Sequence, residues 1–290
     1  MKNMVDERFE LIAVICRLAG RPEYSSPDFG AYNTDYHKNV AETFAQFAEH
    51  EAVMYAKQIA HILHYDKAFK FAVHITKVSG VFVFIDDINS LFVTWGEETG
   101  WDEETANEFL RLYNKFYVDT NYAEFYDSHR TLFEEATEKF IEGFYKHIDF
   151  SWFGKYVDIS NLRCIYSLSS GNYGATVNDT IIYSLVHGGT PPIIHEFCHS
   201  FANPLADRWY NENPEFKKWC DDSVNLQKLP FYSDGLVMAF EYVTRAYDIL
   251  YGVQHGENLD ERLSKERDYK YKDSFKYIKE VYDMILELEK

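Results

Sequence analysis

The chain has 290 residues, 46% of them apolar and 26% charged, and 29 basic against 47 acidic side chains give a net charge of -18. That composition excludes disorder over most of the length, and a chain of this size buries roughly three quarters of its unfolded surface without disulfide support. The acidic balance repels phosphate backbones and anionic bilayers, and no run approaches the roughly 18 apolar residues of a membrane span, so neither nucleic-acid binding nor membrane insertion is expected.

Aromatic residues reach 18%, with 23 Tyr and 23 Phe, which suits a core of large flat side chains. The cysteines Cys16, Cys164, Cys198 and Cys220 have no C-x-x-C spacing and are read as buried thiols. The opening Met1 to Arg8 does not have the character of a signal peptide, and the apolar stretch Leu11 to Cys16 is too short for one. A soluble protein is expected, cytoplasmic or, if a leader was removed, exported.

In chain order, Val5 to Ala19 has helical spacing and meets a stop at Gly20 and Pro22. The stretch from Asp35 to Leu63 contains neither Gly nor Pro and predicts one or two helices. Val81 to Ile85 suits a strand or a buried helical turn. Asp102 to Lys146 reads as helical, with Phe109, Leu112, Tyr113 and Phe116 on one face. His61 and His64 are an i,i+3 pair with no Glu or Cys nearby to complete a ligand set.

The rhythm changes near residue 155, which suggests a helical region over 1–155 and a second region over 156–290. Leu162 to Leu168 alternates like a strand, Ser169 to Gly174 has turn composition, and Thr180 to Val186 predicts another strand. Gly188, Gly189, Thr190, Pro191 and Pro192 then deliver the chain into a helix, with Thr190 as N-cap and Pro191 at its first position. The pattern as a whole predicts a mostly helical α+β fold.

That helix carries His195-Glu196-Phe197-Cys198-His199, an HExxH motif. Residues i and i+4 project from one helix face about 6 Å apart, so both imidazoles can reach one metal ion. Glu196 is rotated off the pair yet close enough to take a proton from an attacking water. Eleven His and 47 acidic residues in 290 positions give about 0.07 chance matches, so the motif carries weight. The helix is expected to stop at Asn203-Pro204, because a residue before proline avoids helical geometry. Helix phase turns Cys198 away from the metal and into packing.

Catalytic zinc takes three protein ligands and keeps one open position. Ala202 and Leu205 stand where a metzincin needs Gly and His, and Arg163-Cys164-Ile165 does not supply a deformylase-like Cys. Asp207 is a short-range candidate. Glu241 is the better one, on a helix capped by Asp234 and running through Tyr251 to Gly252, beside an apolar face of Leu236, Phe240, Val243, Tyr247 and Leu250. The competing reading makes Glu241 and Arg245 an ordinary i,i+4 surface pair.

The HExxH motif with a Glu on a later helix resembles the gluzincin branch of the zincin metallopeptidases. Glu7 to Gly20, Gly171 to Gly174, His195 to Pro204 and Glu241 to Ala246 also resemble a bacterial domain-of-unknown-function family of presumed zinc peptidases. The resemblance implies a zincin-like catalytic half with a small mixed sheet, packed on a helical N-terminal half. It implies Zn2+ on His195, His199 and Glu241, Glu196 as general base, and a peptide or polypeptide substrate. An extended substrate would pair with the stretch around Asn172, Tyr173 and Gly174, by strand addition. Arg245 stands where such enzymes often carry an Asp that supports a ligand His, and Asp248 is one candidate to replace it. Tyr232, Tyr242, Arg245 and His187 remain open as oxyanion donors.

No G-x-S-x-G, phosphate-binding or dinucleotide-binding glycine motif is present. The adjacent acids Asp86-Asp87, Glu97-Glu98 and Asp221-Asp222 read as solvated surface. Three functions follow: a zinc-dependent peptidase, a zinc-binding module without turnover, or a zinc hydrolase of non-peptide amides.

Overall fold

Asp6 accepts the backbone N–H of Arg8 at 2.9 Å and starts the first helix, α1 (Glu7–Leu18). The computed structural model describes residues 4–25, 34–64, 66–94, 97–169, 173–178, 180–186, 192–224, 234–269 and 271–290. It is α+β and 66% helical, with a small mixed sheet, which agrees with the class expected from the sequence. The chain forms two compact units: Met1–Ile148 with Ser160–Ile193, and Asp149–Ile159 with Ile194–Lys290.

In the first unit α1 is followed by α2 (Pro22–Ser25), α3 (Asp35–Phe44), α4 (Glu51–Gln58) and α5 (Asp66–Val73). The hairpin β1 (Ile75–Val78) and β2 (Val81–Phe84) resolves the ambiguous Val81 to Ile85 as strand, pairing Ile75 with Phe84 and Val78 with Val81. Then come α6 (Asn89–Phe92), β3 (Val93–Thr94), β4 (Glu97–Glu98), α7 (Glu103–Asp119), α8 (Tyr122–Ser128) and α9 (Arg130–Gly143). After the return from the second unit, β5 (Leu162–Tyr166), β6 (Tyr173–Val177) and β7 (Ile181–Val186) form a three-stranded sheet in the order β5-β7-β6. β5 runs parallel to β7, and β6 antiparallel to it.

Helix α1 is buried on every side from Phe9 to Cys16, which explains its near-continuous apolar run. The one charged residue in that run is Glu10, with no exposed surface. Its carboxylate accepts the Tyr36 hydroxyl at 2.8 Å, the Ser167 hydroxyl at 3.2 Å and the Leu168 N–H at 3.1 Å, and also bonds Ser169. A buried carboxylate is tolerable only with such donors. Aromatic contacts fill much of the rest: Phe71 meets Phe109 edge-on at 4.8 Å and stacks on Trp101 at 5.2 Å, and Phe44 meets Phe125 edge-on at 4.8 Å.

His74 is fully buried between two partners. Its Nδ1–H donates to the Lys70 carbonyl at 2.7 Å, so Nε2 accepts the Ser90 hydroxyl, also at 2.7 Å. Burial pushes the ring's pKa down from 6.5 to about 4. Below 6.5 the unfolded chain binds the extra proton, so this stabilisation is complete above about pH 6.5 and is lost as pH falls toward 4. About 3 kcal/mol is attached to a shift of that size. The thermal midpoint should fall over that window, and His74→Gln should flatten the fall. An identical acid profile in the variant removes His74 as its source.

Among its described residues the second unit has helices and no strand: α10 (Phe150–Phe153), α11 (Ile193–Glu212), α12 (Pro214–Val224), α13 (Gly235–Gln254), α14 (Leu259–Arg267) and α15 (Ile278–Leu288). Asp234 caps α13 as expected, accepting the Val237 N–H at 2.9 Å. α13 is the central element, with 13 of its 20 residues buried and α12, α14 and α15 around it. Among the described residues no helix is long and apolar enough to cross a membrane.

Two findings differ from the sequence reading. α11 does not stop at Asn203 but passes through Pro204 to Glu212. An interior proline costs about 3 kcal/mol, yet Ala202 before it and Leu205 and Ala206 beyond it are buried, and Trp209 meets Phe216 edge-on at 5.7 Å. Burial on both sides of the proline keeps the helix going. The partition also departs from a division near residue 155. The sheet belongs with the N-terminal helices, since Val5 bridges Tyr166, Phe140 stacks on Tyr166 at 4.9 Å, and Glu10 holds the exit of β5. Asp149–Ile159 joins the second unit through Trp152 and Phe153, which meet Tyr251 at 5.2 and 5.7 Å.

Candidate metal centre

The first two turns of α11 present His195 and His199 from one face, with ring planes 88° apart and Nε2 atoms 3.2 Å from each other. Glu241 reaches them from α13, with Oε2 at 3.7 Å from the His195 Nε2 and Oε1 at 3.7 Å from the His199 Nε2. The side chains are 13%, 19% and 16% exposed, so the cluster is sheltered but open to solvent. Among the described residues these three form the one group whose ligand atoms all lie within 4.8 Å of one another.

The spacing suits one small cation. Zinc bonds nitrogen at about 2.0–2.1 Å and carboxylate oxygen at about 2.0–2.2 Å, so tetrahedral neighbours lie about 3.4 Å apart. The observed 3.2 and 3.7 Å bracket that value. Two imidazoles and a carboxylate are also a donor set that suits a first-row transition-metal cation.

The protonation pattern agrees. The His199 Nδ1–H donates to the Asn203 Oδ1 at 2.8 Å, with the Thr244 hydroxyl 3.0 Å from the same nitrogen. The Nε2 lone pair is thereby left facing His195 and Glu241. Burial first, then His199 and the Arg245 and Arg262 guanidinium groups, hold the His195 basicity well below the usual histidine range. That favours the neutral ring, which is the form that ligates metal.

Glu196 follows in the same first turn of α11, half-buried and outside the three-ligand group. Asp207, the short-range alternative, is exposed, and its carboxylate accepts the Asn211 amide at 3.2 Å. Cys198 is fully buried, and burial pushes its thiol well above the usual range, which leaves it inert packing. Glu241 and Arg245 do form an ion pair, at 3.1 Å, but Arg245 is only 6% exposed and so makes no surface pair.

Of the expected oxyanion donors, Tyr232 and His187 lie outside the described residues. Tyr242 is fully buried, with its hydroxyl on the Ser223 Oγ at 2.7 Å and accepting the Tyr277 N–H at 3.3 Å. Asp248 is paired with Arg262 at 2.9 Å, and burial still pushes its carboxyl up to about 6. Asn172 also lies outside the described residues, while Tyr173 and Gly174 open β6, an edge strand of the first unit's sheet. The sequence reading took this stretch for a turn, because Gly174 and the preceding Gly171 and Asn172 suit one.

Sequence reasoning missed Asn203 and Thr244. The signal was available: Asn203 stands four residues after His199 and Thr244 three after Glu241, so each lies one helical turn past a ligand. Comparison with family models, with curated proteins and with solved structures finds no match to this chain.

Proposed function

We propose that the chain is a zinc-dependent peptidase of gluzincin type. The observation that carries this reading is the convergence of His195, His199 and Glu241 from two helices at zinc-ligand spacing. The HExxH-plus-Glu resemblance supports peptide bonds as the substrate. Bound there, zinc supplies Lewis acidity, polarising a carbonyl and making water easier to deprotonate. His195, His199 and Glu241 hold the ion, and Asn203 and Thr244 fix the ring of His199. The Glu196 carboxylate accepts a proton from the attacking water, then passes it to the nitrogen of the leaving amine.

Metal analysis and a digest of an unfolded polypeptide test the reading together. The expected result is one equivalent of zinc and the appearance of new amino termini, both abolished by a chelator and restored by zinc. Protein that binds no zinc refutes the proposal at its root. Zinc without cleavage leaves a metal-binding module, and activity confined to non-peptide amides leaves another hydrolase.

A further inference from the structure

We infer that Arg245 is a positioning residue of this centre, which holds one oxygen of Glu241 so that the carboxylate offers only the other to the metal. The inference rests on the zinc reading above. It concerns an arginine where a carboxylate partner to a ligand histidine was sought.

Arg245 is held by partners that do not include Glu241. Its guanidinium carbon lies 4.0 Å from the centre of the Tyr269 ring and 4.4 Å from that of Phe275. Its Nη1 donates to the Glu266 Oε2 at 2.6 Å, a charge-assisted bond between side chains 6% and 8% exposed. A planar cation fixed by rings and by a carboxylate has little rotamer freedom left to lose. What it still presents is Nη2, which donates to the Glu241 Oε2 at 3.1 Å.

The two oxygens of Glu241 are therefore unlike. Each lies 3.7 Å from a histidine Nε2, Oε2 from that of His195 and Oε1 from that of His199, but only Oε2 also accepts from the guanidinium. A carboxylate fixed this way donates through one oxygen, which keeps the protein ligand count at three and leaves room for the open position that hydrolysis needs. The guanidinium charge is fully compensated, because Glu241 and Glu266 supply two carboxylates to one cation. A lysine would carry the charge but not the fork that reaches both acids at once.

The test compares wild type with Arg245→Lys and with the double variant Arg245→Met/Glu266→Gln, which removes the guanidinium together with its Glu266 partner. Zinc affinity is read by chelator competition, and coordination by the visible absorption of the cobalt-substituted protein. Four-coordinate cobalt absorbs more strongly than five- or six-coordinate cobalt. Both variants should bind zinc about ten- to a hundredfold more weakly, with weaker cobalt bands as Glu241 becomes free to use both oxygens. A purely structural arginine would alter the thermal midpoint and leave the cobalt bands of the loaded protein unchanged. Wild-type affinity and wild-type bands in Arg245→Lys, which retains charge and bulk and is the safer variant to fold, overturn the inference while the zinc reading stands. Wild-type protein that takes up neither zinc nor cobalt overturns both.

Discussion

Replacing Glu196 with Gln is expected to leave zinc content and thermal stability unchanged and to reduce hydrolysis at least about a hundredfold. The three-ligand group contains His195, His199 and Glu241 and does not need Glu196. Glu196 is nonetheless in the same helical turn as His195, rotated by about 100° from it. Gln keeps the size and the hydrogen-bonding reach of Glu and removes only the basicity. A hundredfold loss is about 2.7 kcal/mol of transition-state stabilisation, the scale of one general base. His195→Ala, by contrast, should lose zinc and activity together. Loss of zinc in Glu196→Gln makes the residue a ligand or a fold determinant, and wild-type turnover moves the chemistry elsewhere.

Glu241→Ala is expected to weaken zinc binding by at least about a hundredfold, while Asp207→Ala leaves it intact. Protein zinc sites with four ligands bind with about 10–16 kcal/mol, so one ligand carries roughly 3 kcal/mol, or about two decades of affinity. Asp207 is exposed and engaged with Asn211, away from this group. Zinc titration of the two variants side by side decides the matter. If Asp207→Ala loses the metal and Glu241→Ala keeps it, the third ligand is the short-range aspartate and the gluzincin assignment fails.

The parts legible in the sequence are those that a single helix or strand determines by itself. HExxH spacing places two imidazoles on one face whatever lies around them, and Asp234 caps α13 because a cap acts within four residues. Leu162 to Leu168 and Thr180 to Val186 read as strands from their own alternation and branching, and strands form over Leu162–Tyr166 and Ile181–Val186. The misreadings came where tertiary contacts outweigh a local rule. Pro204 says stop, but the burial of Leu205 and Ala206 continues the helix. Tyr173 and Gly174 look like a turn, but β7 supplies a ladder for them, pairing Tyr173 with Leu185 and Gly174 with Ser184. The division into units depends on pairs such as Glu10 with Ser167, 157 positions apart, which no window along the chain can contain. Arg245 shows the same limit at the site. Its i,i+4 relation to Glu241 is visible in the sequence, whereas Glu266, Tyr269 and Phe275, which make it a buried cation, are not.

The buried carboxylate of Glu10 imposes an order of events on the newborn chain. The donors Ser167, Leu168 and Ser169 lie up to 159 positions downstream, and at about 5–20 residues per second the ribosome needs about 8–30 s to deliver them. Until then the apolar stretch from Phe9 to Cys16 can gather helical neighbours, but its one charge lacks three of its four partners. The chain also makes Asp149–Ile159, which belongs to the other unit, before the strands that complete the first. Each unit therefore waits on sequence made after part of the other.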